Sequence, residues 1–407
     1  MPNTLSPVAM DPFSRFFAEA FDEKSVISVP TAFQCFFGRP EANGSKTIWS
    51  TDALTVDIDI IRAAGETHAA LVHRGTDSRR LGTDKKSINV EKYTSESRVY
   101  PLIEEEGEIA ASKLMFRNAG ENPYSTDTRQ QRMRDRAMKI YEEATRRIMR
   151  AREVLAAESI LTGKQSAIFG TADTTLQYDF KRTSGMNWTV GVDWTTVTTD
   201  ILADIDTACD LVRKNGFIRP NFLGLGSTAM ASFIKNTDVQ ANADNRRFEL
   251  IQVSTNNPVP PKYNKFVEAG WIPRGRLRTP SGYELWIFTN IEYYTDLSAA
   301  QVKYLPNTKA IVASVDARMD RYLGPPERLP MTPSDVSEFV ELFGFNPAGG
   351  PSVPRIMDGA NQFVSEHFYY DVYKATNQKA LTCRVQHAPI FATTQTDAIS
   401  VIETDKP

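Results

Sequence analysis

Residues Ser125–Gly163 read STDTRQQRMRDRAMKIYEEATRRIMRAREVLAAESILTG, and this stretch decides the fold. From Asp127 to Leu161 it contains neither Gly nor Pro. Met133, Ala137, Ile140, Ala144, Ile148, Ala151, Leu155 and Glu158 recur at steps of three and four, which predicts a helix over 127–161 with one narrow, mostly apolar stripe. Ser125, Thr126 and Asp127 supply N-cap candidates, and Gly163 stands where a helix stops. At about 1.5 Å per residue the helix is on the order of 50 Å long, the length of a spine. A coiled-coil or bundle helix is the competing reading. Against it stand the scarcity of large residues in the stripe, the lack of partner helices and the strand-like flanks.

The chain has 407 residues, of which 41% are hydrophobic and 24% charged, enough for two or three cores in an ordinary soluble composition. A net charge of −3 argues against a strongly basic nucleic-acid reader. Cys35, Cys209 and Cys383 are odd in number and far apart, which suits a reducing compartment and no metal spacing. Neither an export signal nor a membrane span is expected, so synthesis and action in a cytoplasm are.

On the N-terminal side of the spine, Asp11-Pro12 opens a short helix with Phe13, Phe16, Phe17 and Phe21 on one face. Those rings pack either on the chain's own core or on a neighbouring subunit. Val56, Ile58 and Ile60 alternate with Asp57 and Asp59 as a half-buried strand. From Arg74 to Arg98 the chain is polar and charged, with Arg79, Arg80, Lys85 and Lys86 among few apolar residues. It cannot fold by itself, and reads as a disordered loop or as a long hairpin ordered by other chains. Tyr100–Ile109 turns acidic, and 110–116 reads as a short helix.

On the C-terminal side, Leu176, Tyr178 and Phe180 mark a strand, 199–213 a helix, 221–225 a strand and 227–235 a helix. The polar run Asn236–Arg247 reads as a loop. Hairpin strands flank Pro280-Ser281-Gly282, another strand spans 310–315, and one helix, 333–343, lies in a Pro-rich excursion. Strands at 381–387, 389–392 and 398–402 close the chain. Alternation of strands and helices after Thr199 makes a mixed α/β unit.

Gly224-Leu225-Gly226-Ser227-Thr228-Ala229 fits the G-x-G-x-x-A dinucleotide fingerprint, with Asp244 twenty residues past Gly224. Because the run around Asp244 is unlike a strand, a strand-to-helix turn capped by Ser227 explains these residues better. His68, His73, His367 and His387 share no context, and no nucleophile has an identifiable base. Glu104–Glu106 reads as a solvated face. Neither catalytic nor metal or cofactor residues are expected.

Taken together, Met10-Asp11-Pro12-Phe13 through Phe17, His73-Arg74-Gly75, the Arg-rich 129–164 segment, Leu305-Pro306-Asn307 with Ala317-Arg318, and Gln386-His387-Ala388-Pro389-Ile390 resemble, in their order, the major capsid protein E family of lambda-like tailed bacteriophages. The Pro-rich 324–364 region is longer than in that family's pattern. The resemblance implies an α+β fold of the Hong Kong 97 type: an N-terminal arm (1–45), an E-loop with flanking strands (46–112), a peripheral domain with the spine (113–197), an α/β axial domain with a Pro-rich insertion (198–352) and return strands of the peripheral domain (353–407). It implies a non-enzymatic protein that self-assembles as hexamers and pentamers into an icosahedral head around double-stranded DNA, in a virion built in the host bacterial cytoplasm. Expected partners are further copies, a separate scaffolding protein, a portal and non-specifically held DNA. A decoration protein is an open alternative, and no membrane is involved. The expected assembly interface comprises Phe13, Phe16, Phe17, Arg74, Arg79, Arg80, Lys85 and Lys86. An encapsulin-like compartment and an oligomeric α/β enzyme are the alternatives.

Overall fold

The computed structural model describes residues 31–38, 48–50, 55–61, 93–99, 101–110, 129–168, 175–244, 248–250, 259–296, 300–324, 369–374 and 380–405. Strands β1 (Ile48–Ser50), β2 (Thr55–Ile61), β3 (Tyr93–Val99) and β4 (Ile103–Ala110) precede the spine helix α1 (Arg129–Thr162). After it come β5 (Lys164–Ile168), β6 (Thr175–Asp179), β7 (Asn187–Thr189), α2 (Ile201–Gly216), β8 (Phe222–Leu225), α3 (Ser227–Lys235), α4 (Thr237–Asp244) and β9 (Phe248–Leu250). Helix α5 (Pro261–Glu268) leads to β10 (Ile272–Arg278), β11 (Glu284–Thr289), β12 (Tyr293–Thr295), β13 (Gln301–Lys303), β14 (Lys309–Ala313) and β15 (Asp320–Leu323). The last strands are β16 (Tyr369–Lys374), β17 (Ala380–His387), β18 (Pro389–Ala392) and β19 (Ile399–Glu403).

The predicted spine is present within two residues at its start and one at its end. Its buried side begins at Ala137, Ala144 and Ile148 as the periodicity predicts, but with Tyr141 and Thr145 buried and the expected Ile140 only partly so. From Arg152 onward it widens. Arg152, Glu153, Ala156, Ala157, Ser159, Ile160 and Leu161 are all buried, whereas Ala151, Leu155 and Glu158 are only partly so. This half is enclosed because β5, β18 and the segment 31–38 meet it, at Glu158, Ser159 and Glu153.

A seven-stranded sheet in the order β7-β19-β14-β8-β11-β10-β9 forms the centre of the molecule. Its strands alternate residues between two cores, as the two-residue strand period requires. Phe222, Phe288, Ile311 and Ala313 join Phe33, Phe36, Phe266, Trp271 and the spine's Ala156 and Ile160 on one side. Leu223, Leu225, Ile287, Ala310 and Val312 join Ile205, Cys209 and Val212 of α2 and Phe233 of α3 on the other. Helix α2 starts where Asp200 accepts a hydrogen bond from the Ala203 amide at 2.9 Å. Helix α5 opens on Pro261 at its first position, where no amide hydrogen is needed.

One expectation about an element is corrected. Within the run expected as a loop, Thr237–Asp244 is helix α4: Asn236 accepts from the amides of Asp238 and Val239 at 3.0 and 3.1 Å and so starts it. Among its described side chains only Val239 is buried, which is why it looks polar in sequence. The acidic stretch after Tyr100 is strand β4, with Glu104, Glu106 and Glu108 exposed and Ile109 buried. Among the last strands, β16 and β17 pair with β4, whereas β19 enters the seven-stranded sheet between β7 and β14. The helices expected at 11–21, 110–116 and 333–343 lie outside the described residues, apart from Ala110, which ends β4.

Candidate functional site

The eight residues of the expected interface, Phe13, Phe16, Phe17, Arg74, Arg79, Arg80, Lys85 and Lys86, all lie outside the described residues. What the structure gives is the base from which the charged stretch departs. Strands β2 and β3 pair antiparallel over their whole length, from Thr55 opposite Val99 to Ile61 opposite Tyr93. The chain therefore leaves at 61 and returns at 93 side by side. Ile58 anchors this base in a small core with Tyr178, Phe180, Tyr322 and Ile390.

The acidic residues next to it have partners in their own chain. Glu105 meets Arg147 of the spine at 3.4 Å, and Arg147 also holds Glu143 at 2.6 Å. Glu104 accepts from the Gln386 side chain at 2.5 Å and lies 3.8 Å from Arg384. Arg147 is more than half exposed and Glu105 about one-third, so that pair adds about 0–1 kcal/mol and stays available to exchange partners. Gly107 lets β4 approach the spine closely, because a Cβ there would overlap the Ile140 side chain.

The most developed constellation joins residues 31–38 to the middle of the spine. Phe33, Phe36 and Phe37, spaced three and one apart, bury their rings in the chain's own core. Phe36 packs edge-on to Phe222, Phe266 and Trp271 at centroid distances of 5.1, 4.8 and 6.2 Å, and Phe37 meets Phe391 at 5.2 Å. Polar contacts fix the backbone: Trp271 Nε1 donates to the Ala32 carbonyl and Lys265 Nζ to the Cys35 carbonyl, each at 2.7 Å. Glu153, fully buried in the spine, accepts from the amides of Phe33 at 2.5 Å and Gln34 at 3.2 Å. Burial pushes its carboxyl up to about 7, against the amide hydrogen bonds and the Arg152 charge, which pull it down. Sequence reasoning missed this anchor. The aromatic spacing of T-A-F-Q-C-F-F was its available signal.

The fingerprint loop is filled by the chain itself. A Cβ at Gly226 would strike the carbonyl oxygens of Pro306 and Asn307, so the glycine makes room for backbone where a phosphate would otherwise lie. Asn307 also accepts from the Ala229 amide at 3.0 Å. Ser227 is not the cap: Gly226 holds that position, and the Ser227 hydroxyl binds Asn307 Oδ1 and Lys303 Nζ at 2.8 and 2.9 Å. Asp244 ends helix α4 rather than a parallel strand. Among the described residues no group of His, Cys, Asp and Glu could hold a metal ion, and no helix is long and apolar enough to cross a membrane. Burial raises the thiols of Cys35, Cys209 and Cys383, the opposite of what a thiolate nucleophile needs.

Comparison with known proteins gives one family. The sequence model of phage major capsid protein E matches residues 75–336. No curated protein matches the chain. A crystal structure assigned as a capsid protein of a prophage of E. coli CFT073 aligns over 98% of this chain and 99% of its own with a TM-score of 0.59 at 13% identity, which establishes the shared fold. A phage-related protein of Bordetella bronchiseptica RB50 aligns over 97% of each chain at 10% identity and a TM-score of 0.47. The SrpI encapsulin of Synechococcus elongatus PCC 7942 aligns over 88% of this chain and 84% of its own, at 9% identity and 0.38.

Proposed function

The chain belongs to the phage major capsid protein E family, and on that premise we propose that copies of it assemble as hexamers and pentamers into the icosahedral head of a tailed double-stranded DNA bacteriophage. The observation that carries the reading is the family match from residue 75 to 336, which runs from the charged stretch through the spine and most of the central sheet. The Hong Kong 97-type fold shared with the prophage protein supports it. The protein's work in this reading is structural, as a virion shell component, and no reaction is assigned to it.

Within this reading the stretch between β2 and β3 is the E-loop, lying on a neighbouring subunit, and Phe13, Phe16 and Phe17 bury against another. The shell forms in the host bacterial cytoplasm with a separate scaffolding protein and a portal, and encloses DNA without sequence preference. The near-neutral charge suits a container whose DNA must leave, since each phosphate neutralised by a fixed cation would strengthen retention.

Electron microscopy of the protein expressed alone tests the reading. Rings of subunits or closed shells are expected; a monomer or a small symmetric oligomer would overturn it. Nucleic acid extracted from particles purified from infected cells separates a genome container from a protein-cargo compartment.

A further inference from the structure

The carboxyl of Glu153 has no contact with water, yet both its oxygens face backbone N–H groups of a segment far away in sequence. Nothing in the capsid reading uses this arrangement. We propose that Glu153 is a proton-dependent latch, holding residues 31–37 on the spine helix more tightly when protonated and loosening its hold as the carboxyl ionises.

Enclosure sets the direction, because at this fully buried carboxyl desolvation outweighs the amide donors and Arg152, which favour the charged form. With the segment docked, the carboxyl is enclosed and its charge is compensated by two amide donors and Arg152, which leaves it titrating near 7. With the segment displaced, the side chain would stand in water on the flank of the helix and titrate as an ordinary glutamate. Docking therefore takes up a proton in the interval between these values, and strengthens as pH falls. The groups around the site come from every packed element. The spine contributes Arg152 and Arg150, the segment contributes Cys35, and α5 contributes Lys265, held on the Cys35 carbonyl. Tyr304, next to β13, has a buried hydroxyl with no hydrogen-bond partner among the described residues, and the Glu292 charge acts on it. Burial raises both the Cys35 thiol and the Tyr304 phenol, so both stay neutral through the interval in which Glu153 changes charge.

Hydrogen exchange of the full-length chain between pH 5.5 and 8 tests the latch. After correction for intrinsic exchange rates, protection of the Phe33 and Gln34 amides is expected to fall roughly tens-fold across this range. Glu153→Gln removes the titrating group and is expected to give a flat profile. A flat profile in the wild type, or a Gln variant that follows the wild type, would overturn the proposal. Should the variant not fold, the wild-type profile alone decides.

Discussion

The guanidinium of Arg182 donates to the carbonyl oxygen of Ile160 at 2.9 Å, covering one of the last carbonyls of the spine. The same group reaches Ser159 O at 3.2 Å, and the Asn187 amide covers Leu161 O at 3.2 Å. Because Asn187 begins β7 and Asp397 holds Thr183 through its amide and hydroxyl, the end of the spine is tied to the edge of the central sheet. Arg182→Ala would take the donor from the buried Ile160 carbonyl, while Ser159 O keeps the Gly163 amide at 3.0 Å. It is expected to lower subunit stability by about 1–3 kcal/mol, read from the urea midpoint, with Arg182→Lys recovering part of the loss.

Phe36 stands among three aromatic rings at the junction of the N-terminal segment, α5 and the central sheet. Phe36→Ala should cost about 3–5 kcal/mol, transfer and cavity terms together. Thermal unfolding of the free subunit gives the number, and a loss under about 1 kcal/mol would mean the ring contributes little to the core.

The Glu153 carboxyl, raised by burial to about 7, binds a proton in the folded chain that the unfolded chain gives up at its ordinary, lower value. Its stabilising contribution is present in full below the unfolded value and is lost as pH rises through about 7. Relative to the wild type, Glu153→Gln should therefore gain about 1–3 kcal/mol between pH 5 and pH 8. Urea titrations of both proteins at the two pH values measure the difference. A gain in the opposite sense would show that the amide bonds outweigh desolvation.

Reversal of Arg79, Arg80, Lys85 and Lys86 to Glu should impair shell assembly most at low salt, where screening is weakest. Each exposed pair contributes about 0–1 kcal/mol, but a closed shell repeats the set at every boundary. Sedimentation at low and high salt follows the shells. Equal assembly of wild type and variant at low salt would remove this stretch from the interface.

Long-period and short-period patterns were legible because burial enforces them. The spine, the β2 alternation and α2 carry one apolar face, whereas β8, β18 and β19 are short runs buried on both faces. What escaped did so for physical reasons. Strand β4 hides its alternation because its outward residues are three glutamates and its inward ones include Gly107, admitted by close contact with Ile140. Helix α4 depends on one capping side chain, Asn236. The Glu153 anchor joins residues whose separation along the chain exceeds a hundred, so local patterning carries no trace of it. Glu153 looked like one more solvated charge on an Arg-rich helix. Only the arrival of Phe33 and Gln34 shows otherwise.

The position of β19 also bears on when the central sheet is completed. Val401 pairs with Asn187 on one side and Ile311 on the other, so the central sheet gains its bridging strand only after residue 403 has emerged from the ribosome. A nascent chain that already displays its spine and charged stretch still lacks the strand that joins β7 to the rest. The central sheet is thus closed by a late-made strand through a pairing between distant parts of the chain.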